Sequence, residues 1–317
     1  MSIVKSYSFP EGEIRGNMYY IKHNTNNFTV IDCYLKDGEG RNARKDEIVN
    51  EIKRESLGRI CRFISTHPDK DHILGIDYLD EKWKILNFYA VENNIPTNND
   101  DTSLSRYHWL KENKNFPIVR GIKRSWLNNS NQENKSSGIF FHWPNVNNEE
   151  FKKALNSVKE GNKVNYICPI FTYRIEEGAT YMWMGDLETK MQEEYYKENE
   201  DNIPKVHILF QPHHGRKTGA VPKELLDKLN PKIIIIGNAP CEYIKYGDYH
   251  CTITQNTSGD ILFDNVANEV HIYTKNKIDN IPTCLKNKQG LDNIIKEDNG
   301  VEVIDWYYIG TLMITEE

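Results

Sequence analysis

No run of this sequence is apolar for long enough to cross a bilayer. The longest, "IIIIG" at 233–237, is far short of the roughly 20 residues that a spanning helix needs. The opening "MSIVKSYSFPEGEIRG" has no apolar core and no small-residue cleavage site, so no signal peptide is expected. Cysteine is sparse. The six, at positions 33, 61, 168, 241, 251 and 284, include no C-x-x-C pair. They read as buried thiols rather than a zinc ribbon or a disulfide framework. These absences lead to the expectation of a cytoplasmic protein. An excess of positive charge is missing too. A formal net charge of −6 with a pI of about 6.0 argues against a surface that is one large nucleic-acid patch, because such domains are usually strongly basic. It does not exclude action on nucleic acid, since divalent metals bound in a cleft add charge that a residue count omits.

What is present suits a folded, water-facing chain. Of 317 residues, 38% are hydrophobic and 27% charged, enough for a sizeable core. "NMYYIKH" and "NFTVIDC" read as two strands joined by the turn-like "NTN". "DEIVNEIKRESL" has helical spacing, and "ICRFIST" is a short apolar strand. Later strand candidates, "GIFFHW", "KVNYICPIFTYRI", "TYMWM", "VHILFQ" and "KIIIIG", are interleaved with the helical "EEFKKALNSVKE", "LETKMQEEYYKEN" and "PKELLDKL". Strands and helices mixed in both halves predict a layered α/β fold. Residues 91–137, polar and Asn-rich around the amphipathic "RYHWLKE", read as an insertion or lid on a domain covering 1–265. Residues 266–317 read as a C-terminal extension packed on that domain.

Chemistry concentrates at three strand ends. "STHPDKDHILGI", residues 65–76, places His67, Asp69, Asp71 and His72 where a strand gives way to a helix. Imidazole and carboxylate together suit zinc, manganese or iron, whereas calcium wants oxygen alone. Four such groups on one loop leave a two-metal site short of a bridging carboxylate and of at least one more histidine. "TYMWMGDLE" ends a strand on Asp186, and "VHILFQPHHGRKTG" ends another on His213 and His214. Ligand sites in α/β architectures tend to lie at such C-terminal strand ends. Taken singly, Asp69 or Asp186 is also a helix N-cap candidate. His142 in "FFHWPN" reads equally as a ligand or as a packed strand residue beside Trp143.

The order and spacing of these segments resemble the metallo-β-lactamase fold superfamily, whose signature is a His-x-His-x-Asp-His loop followed by distal histidine, aspartate and histidine. "THPDKDHILGI", "MGDLE" and "PHHGRKTG" are most similar to the hydrolase domain of the bacterial competence DNA-uptake protein (ComEC type). That branch writes His-x-Asp-x-Asp-His, then Gly-Asp, then Pro-His-His-Gly-Ser-Lys. The resemblance runs over roughly residues 15–265, with Asp32 in "TVIDC" matching an early structural aspartate. Arg216 stands where that loop has serine. The superfamily's third-motif histidine has no clear equivalent, although His142 lies in the right interval.

The resemblance implies a four-layer αβ/βα sandwich of metallo-β-lactamase fold holding two divalent ions, zinc or manganese. It implies a metal-dependent hydrolase, foremost a phosphodiesterase or nuclease acting on DNA or RNA through a metal-activated water. The alternatives are hydrolysis of a small ester, lactone or phosphodiester, or a non-catalytic metal-binding assembly module. On this reading His67 and Asp69, with His142, hold one ion. Asp71, His72 and His213 hold the other, and Asp186 bridges. Asp71, His214 and Lys217 are expected at the reacting atoms, Arg216 and Lys217 against an anionic substrate, and Asp32 orienting the loop through hydrogen bonds. Nucleic acid or a small phosphodiester is the expected partner, with no membrane. The extension is a candidate surface for a homo-oligomer or a protein partner.

Overall fold

Alternation along the strand Asn27–Ile31 sends Phe28 and Val30 to one face and Ile31 to the other. Phe28 and Val30 pack with Ile48, Val49 and Ile52 of helix Arg41–Glu55 and with Ile76, Leu79 and Trp83 of helix Ile76–Trp83. Ile31 and Ile64 instead join Phe171, Trp183 and Phe210 from a second sheet. Met191 and Tyr195 of helix Thr189–Asn199 and Leu225 and Leu229 of helix Lys223–Leu229 pack into that same core. The result is a layered α/β fold with two sheets face to face and helices outside them. This computed structural model of the chain describes residues 1–9, 16–36, 41–98, 100–129, 135–244, 249, 251–298 and 301–314.

The first sheet runs, in spatial order, Ile294–Asp298, Val301–Met313, Glu269–Thr274, Ile261–Val266, Ser2–Tyr7, Met18–Lys22, Asn27–Ile31, Ile60–Ile64, Asn87–Ala90 and Asn115–Pro117. The second runs Thr252–Thr254, Ile233–Ile236, Ile208–Phe210, Thr180–Trp183, Ile170–Arg174 and Ile139–Trp143. Asn27–Ile31 and Ile60–Ile64 are parallel, with Ile31 opposite Ile64. So are Thr180–Trp183, Ile208–Phe210 and Ile233–Ile236. Parallel strands deliver their C-terminal ends to one edge, which is why motifs far apart in sequence can meet. Ile233–Ile236 is buried along its whole length, as a parallel strand covered on both faces should be. Trp183 stacks between Phe171 and Phe210, with ring centroids at 5.5 and 4.7 Å. Such pairs contribute about 0.5–1.5 kcal/mol each beyond the area they bury. They stiffen the strand that ends in Asp186.

The structure adds detail to two of the expected segments and changes the reading of the cysteines. The segment 91–137 is partly built into the fold: helix Thr102–Lys114 packs Tyr107 and Leu110 into the core, and Asn115–Pro117 extends the first sheet. Residues 99 and 130–134 of that segment lie outside the described residues. The tail contributes strands to the same sheet, with Glu269–Thr274 pairing Ile261–Val266 across the boundary expected at 265. Cys251 and Cys284, expected as free thiols, are joined in a disulfide that ties the tail to the second sheet, whereas Cys33 and Cys168 are buried thiols. Their separation of 33 residues carries no recognisable spacing signal. No helix among the described residues is long and apolar enough to cross a membrane.

Candidate metal centre

The loop after Ile60–Ile64 is held from behind by Asp32. Its Oδ1 accepts the Thr66 N–H at 2.7 Å, and its Oδ2 accepts the Thr66 hydroxyl at 2.7 Å and faces His72 Nδ1 at 2.8 Å. A carboxylate only accepts, so His72 must donate from Nδ1, which turns Nε2 towards the site. The Thr66 hydroxyl has spent its proton on Asp32 and can only accept from His67 Nδ1, 3.0 Å away. In the neutral imidazole of His67 the ring proton therefore sits on Nδ1, and Nε2 faces the site. The rings of His67 and His72 lie 4.1 Å apart.

Asp186 stands opposite these two histidines. Its Oδ1 is 3.1 Å from His72 Nε2, and its Oδ2 is 3.6 Å from both His213 Nε2 and His214 Nε2. Asp71 Oδ2 lies 3.4 Å from His214 Nε2 and 4.0 Å from His72 Nε2. One donor atom each from Asp71, His72, Asp186 and His214 falls within 4.8 Å of the others. On the other side, Asp69 Oδ2 is 3.6 Å from His67 Nε2. His213 also feels the charge of His67.

Whether these residues suit metal ions is tested by the atoms left without partners. His67 Nε2 is buried without a hydrogen bond among the described residues, and buried His72 Nε2 and Asp186 Oδ1, 3.1 Å apart, have only each other. A buried polar group left unsatisfied costs about 1–3 kcal/mol, yet here these under-satisfied atoms converge. A cation shared among them removes the cost. The donors are all imidazole nitrogens and carboxylate oxygens, so the fit is good.

Electrostatics agree. Burial pushes the Asp186 carboxyl up, but the charges of His72 and His214 outweigh it and hold it well below the usual carboxylate range. Burial also pushes Asp71 up, and His72 and His214 reverse that. His72 is the counterpart: burial opposes its charge, yet Asp186, Asp32 and Asp71 together hold it well above the usual imidazole range. His213 is lowered, by burial first, with Asp186 opposing and His214 and Arg216 adding to the fall.

Backbone geometry at the site is unusual. Asp32, His213 and His214 all adopt left-handed φ, at 55°, 52° and 54°. Non-glycine residues in that region cost of order 1–3 kcal/mol each and cluster where function needs them. Consecutive left-handed residues turn the loop so that both neighbouring histidines reach Asp186. Gly185 has φ 53°, and a Cβ there would lie 2.7 Å from Thr66 Cβ. Only glycine lets the Asp186 turn press against the Thr66 loop.

Sequence-expected residues divide accordingly. The structure brings together His67, Asp69, Asp71, His72, Asp186 and His213, with Asp32 behind them. His214, expected at the reacting atoms, sits inside the donor group. His142 points elsewhere: its Nε2 is 2.9 Å from Thr172 Oγ1, and burial, then Arg174, pushes it down to about 4. Arg216 is half-buried, its backbone bridging to Ile244, and Lys217 is exposed. Sequence reasoning missed Thr66, which fixes two histidines, and Asn17, whose N–H donates to Asp71 O at 3.1 Å and whose Nδ2 faces His214 Nε2 at 3.5 Å. No spacing rule marks either.

No family model matches this chain, and no curated protein matches it. Among solved structures it is similar to a mutant of the CmlA beta-hydroxylase, at 12% identity and TM-score 0.43 over 74% of this chain and 45% of that one. It is similar to CmlA, a diiron beta-hydroxylase from Streptomyces venezuelae, at 12% identity and TM-score 0.40 over 78% and 48%. It is also similar to TTHA1623 in a di-iron-bound form, at 14% identity and TM-score 0.30 over 74% and 92%. The chain spans less than half the length of the two CmlA chains. These are diiron proteins, and none of them is a DNA-uptake protein. The expected kinship with the competence-protein hydrolase domain is corrected by them. The nuclease and hydrolase reading built on that kinship is corrected with it, because nothing else in the chain specified a phosphodiester substrate.

Proposed function

We propose that this chain is a metalloenzyme built on a dinuclear iron centre and that its reaction is an oxidation or reduction. The observation that carries the reading is Asp186. Its two oxygens reach ligands of both assigned sets, Oδ1 facing His72 and Oδ2 lying equally near His213 and His214, as a carboxylate shared by two ions would. Asp71, His72 and His214 are assigned to one ion, and His67, Asp69 and His213 to the other. His213 thus takes the place that a strand histidine was expected to fill. Mixed imidazole and carboxylate donors with no thiolate among them, and with positions left open, suit non-haem iron as they suit zinc and manganese. The dinuclear reading rests on that donor set, and the choice of iron is put to the loading experiment below.

Bound there, a pair of irons supplies one-electron redox steps and open positions for a small oxidant. The chain's own part is orientation and access. Asp32 and Thr66 fix which nitrogen each imidazole of the loop offers. Behind the donors, a cavity of about 10 Å³ lined by Asn17, Tyr19, Asp32, Thr66, Trp183 and Gln211 has room for one water at most. Access is from the side where Asp69 and Asp71, with side chains 38% and 23% exposed, and His213 at 12% meet solvent. A metallo-β-lactamase type of sandwich is proposed with this reading, supported by the facing sheets and by donors at parallel strand ends.

The test is anaerobic loading of the full chain with iron(II), iron analysis, and Mössbauer and optical spectra before and after admitting dioxygen. About two irons per chain, oxidised on exposure, are expected, with both lost in Asp186→Ala. Fewer than two irons sinks the dinuclear reading. Two irons inert to dioxygen and to reductants sink the redox one.

A further inference from the structure

His67 and His72 are oriented from the protein interior, but His213 is not. Its Nδ1 lies 2.8 Å from Thr218 Oγ1, on the exposed turn Lys217–Gly219. For Nε2 to serve a metal, Nδ1 must carry the ring proton and donate it to that hydroxyl. We infer that Thr218 is a positioning residue, which sets the ring of His213 and thereby the occupancy of the second metal position. The inference rests on the dinuclear reading above.

The surrounding loop is built to hold this contact. Arg216 N–H donates to His213 O at 2.8 Å, and Gly219 N–H donates to Arg216 O at 3.0 Å, folding the chain back on the histidine. A Cβ at Gly219 would lie 2.5 Å from His213 Cβ and 2.8 Å from Pro212 O, so the return passes too close for any side chain. The loop is then anchored to the helix that follows Asp186. The Thr189 hydroxyl lies 2.8 Å from Ala220 O and 3.0 Å from Thr218 O, its one proton shared between the two carbonyls. Gln192, fully buried, donates from Nε2 to Leu187 O at 2.7 Å and to Gly219 O at 3.1 Å. His213 N–H donates to Gly185 O at 3.0 Å. One clamp therefore holds both the turn that presents Asp186 and the loop that presents Thr218.

A metal-ligating histidine depends on the group that takes its other ring proton, and loss of that group typically lowers metal affinity roughly 10–100-fold. Thr218 is exposed, so Thr218→Val removes the hydroxyl without emptying a core. The experiment is titration of cobalt(II) into the metal-free full chain, followed by calorimetry and visible absorption, for wild type, Thr218→Val and Thr218→Ser. Wild type should take up two ions. In Thr218→Val one uptake step stays as in wild type, the other weakens roughly 10-fold or more, and Thr218→Ser restores it. A Thr218→Val curve that overlays wild type overturns the inference while leaving the dinuclear centre intact. Equal weakening of both steps also overturns it, as the mark of a general structural loss. A wild type that takes up one ion overturns the dinuclear reading itself.

Discussion

Asp32 Oδ2 lies 2.8 Å from His72 Nδ1, and neither side chain meets solvent. The same carboxylate takes both the N–H and the hydroxyl of Thr66, so a single side chain sets the direction of His72 and, through Thr66, of His67. Asp32→Ala should weaken metal binding roughly 10–100-fold, measured by competition with a chelator. Binding as tight as wild type would show that the imidazoles hold their orientation without it.

Metal counts after desalting separate the donors. Asp186→Ala should leave no ion, since its carboxylate is shared. His214→Ala should lose the buried ion held with Asp71 and His72, and His213→Ala only the other. Equal losses in the two histidine variants would contradict the division into two positions.

The pH response follows from His72. Its imidazole is held above its ordinary range once Asp186, Asp32 and Asp71 overcome the cost of burial. In the metal-free chain this stabilisation is fully present below the unfolded imidazole pKa and is lost as pH rises through the folded one. A metal needs Nε2 free, so binding near neutral pH must expel a proton. Calorimetry in buffers of different ionisation enthalpy should show about one proton released per chain from this residue. Metal affinity should rise with pH, while the metal-free chain loses stability over the same interval. Buffer-independent heats would contradict this.

Gly185→Ala should be costly for its size. Left-handed φ at a residue with a side chain and a Cβ only 2.7 Å from Thr66 Cβ add up to roughly 2 kcal/mol or more. Thermal unfolding checks this. The metal content should fall with it, because the displaced neighbour is Thr66. An unchanged melting temperature would mean that the turn relaxes freely.

His142 should behave as a packed residue. Burial, aided by Arg174, pushes it down to about 4, so its contribution is present above the unfolded imidazole pKa and lost as pH falls through the folded value. His142→Gln should flatten the acid limb of stability between those values and leave the metal count unchanged. Loss of an ion in this variant would return His142 to the ligand set.

The sequence by itself determined the elements and the chemical kind of the site. Alternation in Asn27–Ile31, the apolar run Ile233–Ile236 and the donors at three strand ends all carried local signals, because burial and ligand type are properties of single segments. Tertiary structure alone decided which donors pair. His213 and His214 are neighbours of the same type, and only their left-handed turn relative to Asp186 distinguishes them. Thr66, Thr218 and Gln192 act through contacts between segments that strand order brings together, which no spacing along the chain records. The Cys251–Cys284 bond is of the same kind. Substrate identity was never in the metal ligands, since the same imidazoles and carboxylates serve several chemistries, and that is where the expectation of a nuclease failed.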